Sequence, residues 1–189
     1  MAVADSQTKI YRCTNNHSFD VAREGYLNLH LAQHKRSKSP GDSEPMIKSR
    51  QRFLNGGYYQ PLADAISNTI NNCPLSFEQK LLDIGCGEGY YLQQLRNIAE
   101  RSNANLELLG LDVSKAGVRL AAKRKLNALL VVDSAYKIPL FDHSVDSAIS
   151  VFSPISPEEA ARVIKPGGTL IMVGPGEQHL SGLTAQIYD

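Results

Sequence analysis

Short apolar runs alternate with longer amphipathic segments from residue 80 onward. Five runs have the length and composition of buried strands, at 81–84, 106–112, 128–132, 145–152 and 169–173. The segments between them, such as 88–101, have the mixed pattern of helices that pack on a sheet. This alternation predicts a doubly wound, mostly parallel α/β sheet of Rossmann-like type, with a ligand at the carboxyl ends of the strands.

The first predicted strand runs into a glycine-rich turn that contains Gly85, Gly87 and Gly89. Glycines allow a sharp turn and a close approach of a ligand to the main chain, and the next helix directs free N–H groups at that ligand. The dinucleotide pattern would place its third glycine where Tyr90 stands, so a pyrophosphate is disfavoured. Asp83 either holds the turn or faces a cationic ligand. A methionine-like ammonium and sulfonium would suit that acid, and we predict S-adenosylmethionine as the cofactor.

Acidic residues also end the second and third predicted strands. Asp112 lies about 20 residues beyond the glycines, where an acid in a strand–helix–strand unit can accept both ribose hydroxyls. It could instead cap the helix that begins near Ser114, as Asp often does. Asp133 follows the third strand, at a position from which its side chain could reach the adenine amino group.

The composition is that of one globular domain with an appendage. The 189 residues are 42% hydrophobic, and no apolar run approaches the roughly 18 residues that suggest a membrane span. Three widely separated cysteines, Cys13, Cys73 and Cys86, form no disulfide framework. The short polar N-terminus does not resemble a cleavable signal. We expect a cytoplasmic protein without membrane contact.

The net charge of +1 conceals a basic N-terminal part. Residues 1–55 hold nine Lys and Arg against five Asp and Glu, whereas the remainder holds eleven against fourteen. We divide the chain into an N-terminal appendage, 1–43, and a cofactor domain, 44–189. The basic excess either follows a phosphate backbone or belongs to a solvated linker. Under the first interpretation the RNA-binding residues are Lys35, Arg36, Lys38, Lys48, Arg50 and Arg52.

Cys13 and His17 have a spacing that occurs in one half of a zinc site, which needs four ligands. No Cys or His precedes Cys13, and neither His30 nor His34 has a recognisable ligand spacing. The pattern therefore favours a small buried residue at Cys13 and a turn residue at His17. We do not expect bound zinc.

Motifs along most of the chain together resemble the bacterial 23S rRNA guanine-N1 methyltransferases, which are class I S-adenosylmethionine-dependent enzymes. They comprise the glycine loop and segments on both sides of it, at 13–20, 24–29, 33–37, 40–43, 58–62, 82–91, 110–115, 161–168 and 174–180. The resemblance implies an N-terminal zinc module for RNA recognition, a cofactor domain, and methyl transfer to N1 of one guanine in a 23S ribosomal hairpin.

The chain departs from this family pattern at both ends. The first half of the zinc site is missing, and the sequence stops at Asp189, where the family fold normally adds two more strands. We therefore expect a shortened relative whose fifth strand is an open edge. Open edges invite strand pairing, so a homodimer is one possible outcome.

By the same resemblance, Tyr59, Gly87, Glu88 and His179 contact the cofactor. Three of these residues have an alternative interpretation. Tyr59 could pack at the start of an amphipathic helix, Glu88 could favour a helix N-terminus, and His179 could be structural.

The implied reaction is attack of guanine N1 on the sulfonium methyl group, with alignment as the main contribution of the protein. N1 carries a proton at neutral pH, and its edge must be unpaired or flipped out to react. Ser153 and His179 are weak candidates for accepting that proton, and no catalytic base is assigned. Phe152 could stack on the target ring or pack in the core. A small-molecule methyltransferase and a non-catalytic cofactor- or RNA-binding remnant are the alternatives.

Overall fold

A computed structural model describes residues 3–5, 10–12, 17–30, 41–71, 78–179, 181–182 and 186. Three short N-terminal strands form an antiparallel sheet, namely β1 (Val3–Asp5), β2 (Ile10–Arg12) and β3 (Ser18–Asp20). Six strands form a larger sheet in which every neighbouring pair is parallel. They are β4 (Leu27–Asn28), β5 (Glu78–Ile84), β6 (Asn105–Asp112), β7 (Ala128–Val132), β8 (Val145–Val151) and β9 (Ile164–Val173).

The larger sheet has the strand order β4-β7-β6-β5-β8-β9. From β5 the chain moves to one side through β6 and β7, and then crosses to β8 and β9 on the other side. The strand order therefore reverses between β5 and β8. Open α/β sheets have a crevice at such a switch point, outside the carboxyl ends of the strands. The Rossmann-like parallel sheet predicted from the sequence is confirmed.

Five helices are described: α1 (Glu44–Asn55), α2 (Gln60–Asn71), α3 (Tyr90–Ser102), α4 (Lys115–Lys123) and α5 (Pro157–Val163). Alternate strand residues face two apolar layers, because successive side chains of a strand point to opposite faces. Leu81 and Leu108 pack with α2, α3 and α4, whereas Leu82 and Leu109 pack with α5. In the part of the chain that the structure describes, no helix is both long and apolar enough to cross a membrane.

The last strand begins earlier than the sequence predicts. Val145 pairs with Ile164 and Ser147 pairs with Thr169, so the intervening residues of β9 form an irregular insertion in the ladder. A Cβ at Gly168 would lie 2.6 Å from the carbonyl oxygen of Asp146. The expected turn at 165–168 is therefore packed directly against β8, and the pairing continues on both sides of it.

Residues of the predicted appendage contribute a strand to the larger sheet. Leu27 and Asn28 pair in parallel with Val131 and Val132 of β7. The preceding Tyr26 is buried in the main core, at 3% exposure. The segment before residue 43 and the cofactor domain therefore share one hydrogen-bonded sheet. Their division into two functional units stays a prediction.

Arg162 of α5 forms hydrogen bonds that hold the connection between β7 and β8 against that helix. Its guanidinium donates to the carbonyl oxygens of Ile138 and Leu140, each at 2.8 Å. It also donates to both carboxylate oxygens of Glu159 at 2.8 Å, and this lowers the pKa of Glu159. The Glu159 carboxylate in turn accepts the N–H of Ile138 at 2.7 Å. One ion pair thus satisfies several main-chain groups of an irregular connection.

We expect Arg162→Ala to lower the free energy of unfolding by about 1–3 kcal/mol, because two carbonyl groups and the carboxylates of Glu159 and Asp142 lose their donor. Arg162→Lys should recover only part of this loss, since an ammonium cannot supply the planar fork of donors. Urea denaturation measures both changes.

Arg101→Ala is the matched control, because the exposed Arg101 donates to a single carbonyl of its own helix, that of Asn97 at 3.2 Å. Its effect should stay within about 0.5 kcal/mol. Equal losses in the two alanine variants would contradict the role given to Arg162.

Candidate active site

A cleft of about 310 Å³ opens at the carboxyl ends of β5 and β8, where the strand order reverses. Its size is at the lower end of that of small-ligand pockets. The walls come from α1 and the turn after it, the glycine loop with the start of α3, the end of β8, and the turn that follows β9. They are formed by Arg50, Phe53, Leu54, Tyr59, Gly85, Cys86, Gly87, Glu88, Tyr90, Tyr91, Val151, Phe152 and His179. Five of these were predicted cofactor residues, namely Tyr59, Gly85, Gly87, Glu88 and His179.

In the glycine loop, Gly85 and Gly89 are packed against neighbouring residues, whereas Gly87 has free space beside it. The three glycines have φ angles of 82°, 53° and 82°, which side chains rarely adopt. A Cβ at Gly85 would lie 1.9 Å from the hydroxyl oxygen of Ser153, and a Cβ at Gly89 would lie 2.9 Å from the Cβ of Ala121. Nothing lies within 4 Å of the corresponding position at Gly87, which lines the cleft. Main chain is thus accessible to a ligand at Gly87.

Asp112 joins the end of β6 to this loop. Its carboxylate accepts the N–H of Gly87 at 2.8 Å and the N–H of Ser114 at 2.7 Å. The hydroxyl of Ser114, rather than Asp112, caps α4 by accepting the N–H of Gly117 at 3.2 Å. A carboxylate has about four acceptor positions, so Asp112 keeps acceptor capacity for two hydroxyl groups. Burial raises the pKa of Asp112, against the lowering effect of these two hydrogen bonds.

Asp83 is a buried acid with an unsatisfied oxygen. Its side chain is 1% exposed, and one carboxylate oxygen has no hydrogen-bond partner. Burial and the nearby charge of Asp112 together raise the pKa of Asp83 to about 8. Asp83 is therefore largely protonated at neutral pH. A cationic group brought near it would favour the ionised form.

Glu88 uses its side chain to anchor the loop. Its carboxylate pairs with the guanidinium of Arg124 and also accepts from the amide of Gln51 at 3.1 Å. Arg124 donates in addition to the main-chain carbonyl of Glu88 at 2.8 Å and to Gln93 at 2.9 Å. These contacts tie the loop to α1, α3 and the end of α4. The backbone of Glu88 can face a ligand. One carboxylate oxygen of its side chain is held by Arg124 and Gln51, whereas the other, Oε1, is buried without a hydrogen-bond partner.

Asp133 lies outside the residues that line the cleft. Its carboxylate is 3.5 Å from the ring nitrogen Nδ1 of His30 and accepts the N–H of Ser134 at 2.8 Å. His30 follows β4, so this contact links the N-terminal segment to the end of β7. The proposed contact of Asp133 with an adenine stays a prediction.

Aromatic rings form a connected row at the mouth of the cleft. The ring of Phe53 lies 5.5 Å from that of Tyr59, the ring of Tyr59 lies 6.0 Å from that of Phe152, and the ring of Phe152 lies 6.4 Å from that of His179. Ser153, the other weak candidate for a proton acceptor, packs on the glycine loop and does not line the cleft. His179 is exposed at the rim.

Three of the six predicted RNA-binding residues lie on α1. Lys48 pairs with Glu44 at 2.9 Å, Arg50 pairs with Asp42 at 2.8 Å, and Arg52 donates to Ser49 at 2.9 Å. These basic groups therefore belong to an exposed helix face, and two of them are paired with acids. Arg50 also lines the cleft.

The other three basic residues, Lys35, Arg36 and Lys38, lie outside the described residues, as does Cys13. Within the described ranges, no group of three metal-ligating side chains comes together. The interpretation of Cys13 and His17 stays a prediction.

Several residues at or next to the cleft were not predicted. Arg124 does not line the cleft but holds Glu88, which does; it looks like an ordinary basic residue after a helix, and Glu88 is 36 positions away. Phe53, Tyr90 and Tyr91 line the cleft as well, and burial raises the pKa of Tyr91 above its ordinary value. The two tyrosines directly after the third glycine were the available signal, because the first turn of that helix faces the ligand.

Two family profiles match the chain, in the same order as the two predicted units. The profile described as "RlmA, N-terminal", a zinc-ribbon family, matches residues 3–38, and the profile described as "Methyltransferase domain" matches residues 81–168. The second match contains the glycine loop, Asp112, Asp133 and the end of β8.

Curated relatives match along nearly the whole chain. The 23S rRNA (guanine(748)-N(1))-methyltransferase of Streptomyces fradiae is 35% identical over 180 residues, which are 94% of this chain and 62% of that protein. A Bacillus subtilis protein named "Putative 23S rRNA (guanine-N(1)-)-methyltransferase" is 32% identical over 179 residues, with 93% and 62% coverage. The chain therefore spans 62% of the length of these relatives.

Solved structures agree with the fold. A SAM-dependent methyltransferase from Aquifex aeolicus superposes with a TM-score of 0.52 at 25% identity, over 67% of this chain and 69% of that one. The curated relatives match a larger share of the chain, 93–94% of it. Over that length the chain is similar to the 23S rRNA guanine-N1 methyltransferases, and residues 81–168 match the methyltransferase domain profile.

Proposed function

We propose that this chain binds S-adenosylmethionine in the cleft and transfers its methyl group to N1 of a guanine in 23S rRNA. The observation that carries the proposal is the glycine-loop cleft at the strand switch point, in a chain that is similar to this family along most of its length. The activity, the RNA and the nucleotide are those in the name of a longer relative, and for this chain they need direct tests.

Two acids next to the cleft suit the cofactor chemically, although neither is among the residues that line it. Asp112 would accept the ribose hydroxyls with its remaining acceptor positions, and Asp83 would face the positive methionine end with its unsatisfied oxygen. The guanidinium of Arg50 lines the same cleft and could pair with a carboxylate. When bound, S-adenosylmethionine supplies an activated methyl group on its sulfonium.

The contribution of the protein would be alignment and exclusion of water. The guanine must present N1 at the cleft mouth, where Tyr59, Phe152 and His179 lie. Holding the two reactants in one geometry removes much of the entropic barrier. His179 is exposed at this position and could accept the N1 proton directly or through water.

RNA would bind across the basic face of α1 and the segment before it. Lys48 and Arg50 now pair with Glu44 and Asp42, and phosphates would have to replace those acids. Binding should therefore weaken as the salt concentration rises. A ribosomal RNA substrate would place the protein in the cytoplasm. Pairing of two copies along β9, which is an edge strand of the described sheet, is a further proposal of the sequence analysis.

The first test is methyl transfer from labelled S-adenosylmethionine to an unmodified transcript of 23S rRNA. A methyl group at N1 blocks Watson–Crick pairing, so reverse transcription should stop one nucleotide before the modified guanine. Transfer at a single guanine supports the proposal. Cofactor binding without methyl transfer would favour a non-catalytic cofactor- or RNA-binding remnant. Transfer to small molecules alone would favour a small-molecule methyltransferase.

We expect Asp112→Ala to weaken binding of S-adenosylhomocysteine at least tenfold in titration calorimetry, because the ribose hydroxyls lose a charged acceptor. Glu107→Ala is the control, since Glu107 lies on the same strand and pairs with Lys80 at 2.9 Å on the surface. It should leave the affinity within about twofold.

A cofactor analogue without the ribose hydroxyls separates this role from loss of loop structure. The unsubstituted chain should prefer S-adenosylhomocysteine over the dideoxy analogue, and Asp112→Ala should lose that preference. Retained discrimination in the variant would mean that Asp112 acts only through Gly87 and Ser114.

Titration of Asp83 should lower the free energy of unfolding and raise the affinity for a bound cation as the pH increases. Its pKa of about 8 in the folded chain exceeds the value of about 3.9 of an unperturbed aspartate. Its contribution to the free energy of unfolding is therefore fully present below about pH 4 and is lost as the pH rises to about 8. A cation bound beside Asp83 should instead bind more tightly over the upper part of that range, with release of a proton.

Asp83→Asn tests both effects, because the amide keeps the shape and cannot ionise. Thermal melts at pH 5 and pH 8 should show a smaller loss of stability in the variant than in the unsubstituted chain. Calorimetry in two buffers of different ionisation enthalpy should show proton release that the variant lacks. The idea fails if both proteins release the same number of protons.

A further inference from the structure

Phe152 occupies a backbone conformation that phenylalanine rarely adopts. Its φ angle is 52°, in the left-handed region, whereas the preceding β8 ends in extended backbone at Val151. The N–H of Phe152 donates to the carbonyl of Val173 in β9 at 2.9 Å, which holds the residue in place. Bulky residues in this region are strained, and such strain clusters at functional sites.

The strained residue exposes its ring at the cleft instead of burying it. The side chain of Phe152 is 44% exposed and lines the cleft, so packing in the core is excluded as its main role. The ring of Tyr59 meets it nearly edge-on, with an interplanar angle of 75°. The ring of Tyr59 in turn meets the ring of Phe53 at an interplanar angle of 66°. A row of aromatic contacts, which ends at the likewise exposed Phe53, therefore supports the ring of Phe152.

His179 adds a second ring beside Phe152. The two rings are inclined by only 30°, and their centroids are 6.4 Å apart. His179 comes from the turn after β9, so the two rings reach this position from different elements. An aromatic ring next to a polar ring suits an unstacked nucleobase, because such bases stack on aromatic side chains and form hydrogen bonds along their edges.

The position on the sheet separates this ring from the two acids proposed for the adenosine, whereas Tyr59 and His179, which the family resemblance also places at the cofactor, lie beside it. Asp112 and Asp133 follow β6 and β7 on one side of β5, while Phe152 follows β8 on the other side. An adenosine held by those acids would lie away from Phe152. The ring therefore faces the side of the cleft that the second substrate must enter.

We propose that Phe152 is the stacking surface for the target guanine, with His179 beside it. This inference rests on the proposed function. A guanine taken out of its RNA stack loses the contacts of its neighbours, and an aromatic ring replaces part of them. Stacking uses the face of the base, so the N1 edge stays free for the methyl group. The strained backbone of Phe152 holds the ring where the base must sit.

The test compares Phe152→Leu and Phe152→Tyr with Phe141→Leu as the matched control. Phe141 is another exposed phenylalanine, at 62% exposure, and does not line this cleft. Each protein is assayed for S-adenosylhomocysteine affinity, melting temperature, and kcat/KM with the unmodified 23S rRNA transcript.

We expect Phe152→Leu to lower kcat/KM roughly ten- to hundredfold, the range that loss of one base–aromatic stack predicts. Cofactor affinity should stay within about twofold. Phe152→Tyr should retain activity within about threefold because it keeps the ring, and Phe141→Leu should match the unsubstituted chain. Loss with Leu together with rescue by Tyr, at equal cofactor affinity, supports stacking.

Other outcomes overturn the proposal in distinguishable ways. Unchanged kcat/KM in Phe152→Leu means that the base is held elsewhere, while the methyltransferase function stands. A parallel loss of cofactor affinity places Phe152 in the cofactor pocket. Absence of methyl transfer by the unsubstituted chain, with cofactor bound, rejects the proposed function itself and this inference with it.

Discussion

The carboxylate of Asp112 is the point on which the candidate site depends. It ends one strand, and by accepting two main-chain N–H groups it fixes both the glycine loop at Gly87 and the start of α4 at Ser114. Close packing supports the same junction, since a Cβ at Gly117 would lie 3.0 Å from the carbonyl oxygen of Gly87. The shape of the cleft thus depends on two hydrogen bonds from main-chain N–H groups to a single carboxylate.

The charges around this junction are unequally compensated. Glu88 has a full counter-ion in Arg124, and the pair connects three helices to the loop. Asp83 and Asp112 have no such partner among the described residues. Burial raises the pKa of both, and the charge of Asp112 raises the pKa of Asp83 further. Buried acids beneath an open loop disfavour a phosphate, whereas a cation bound there would favour their ionised forms. The electrostatics therefore agree with the glycine spacing in selecting the class of ligand.

Local patterns predicted the parts of the structure that depend on local sequence. The strand Ala128–Val132 has the same bounds in the sequence analysis and in the structure, because an apolar run between polar residues has few alternatives. The two interpretations of Asp112 could not be separated, since a cap and a ligand acceptor use the same residue type. The structure assigns the cap to Ser114.

The remaining features arise from contacts between distant positions. The pair of Glu88 and Arg124 and the contact of His30 with Asp133 join residues that no motif relates. The two-residue strand β4 is too short for any periodic signal, and its pairing with β7 depends on the completed sheet. The strained φ angle of Phe152 could not be predicted from the sequence either, because none of the neighbouring residues requires a left-handed backbone conformation at this position.

The pairing of β4 with β7 has a consequence for the evolution of this chain. Modules that meet only through side chains can be exchanged between genes, because each keeps its own main-chain hydrogen bonds. Here the N-terminal segment closes one edge of the sheet that carries the cofactor loop, and the buried Tyr26 belongs to the same core. Without that segment β7 would pair only with β6 and would become an edge strand of the sheet. A segment that replaced it would therefore have to supply a strand that pairs with β7.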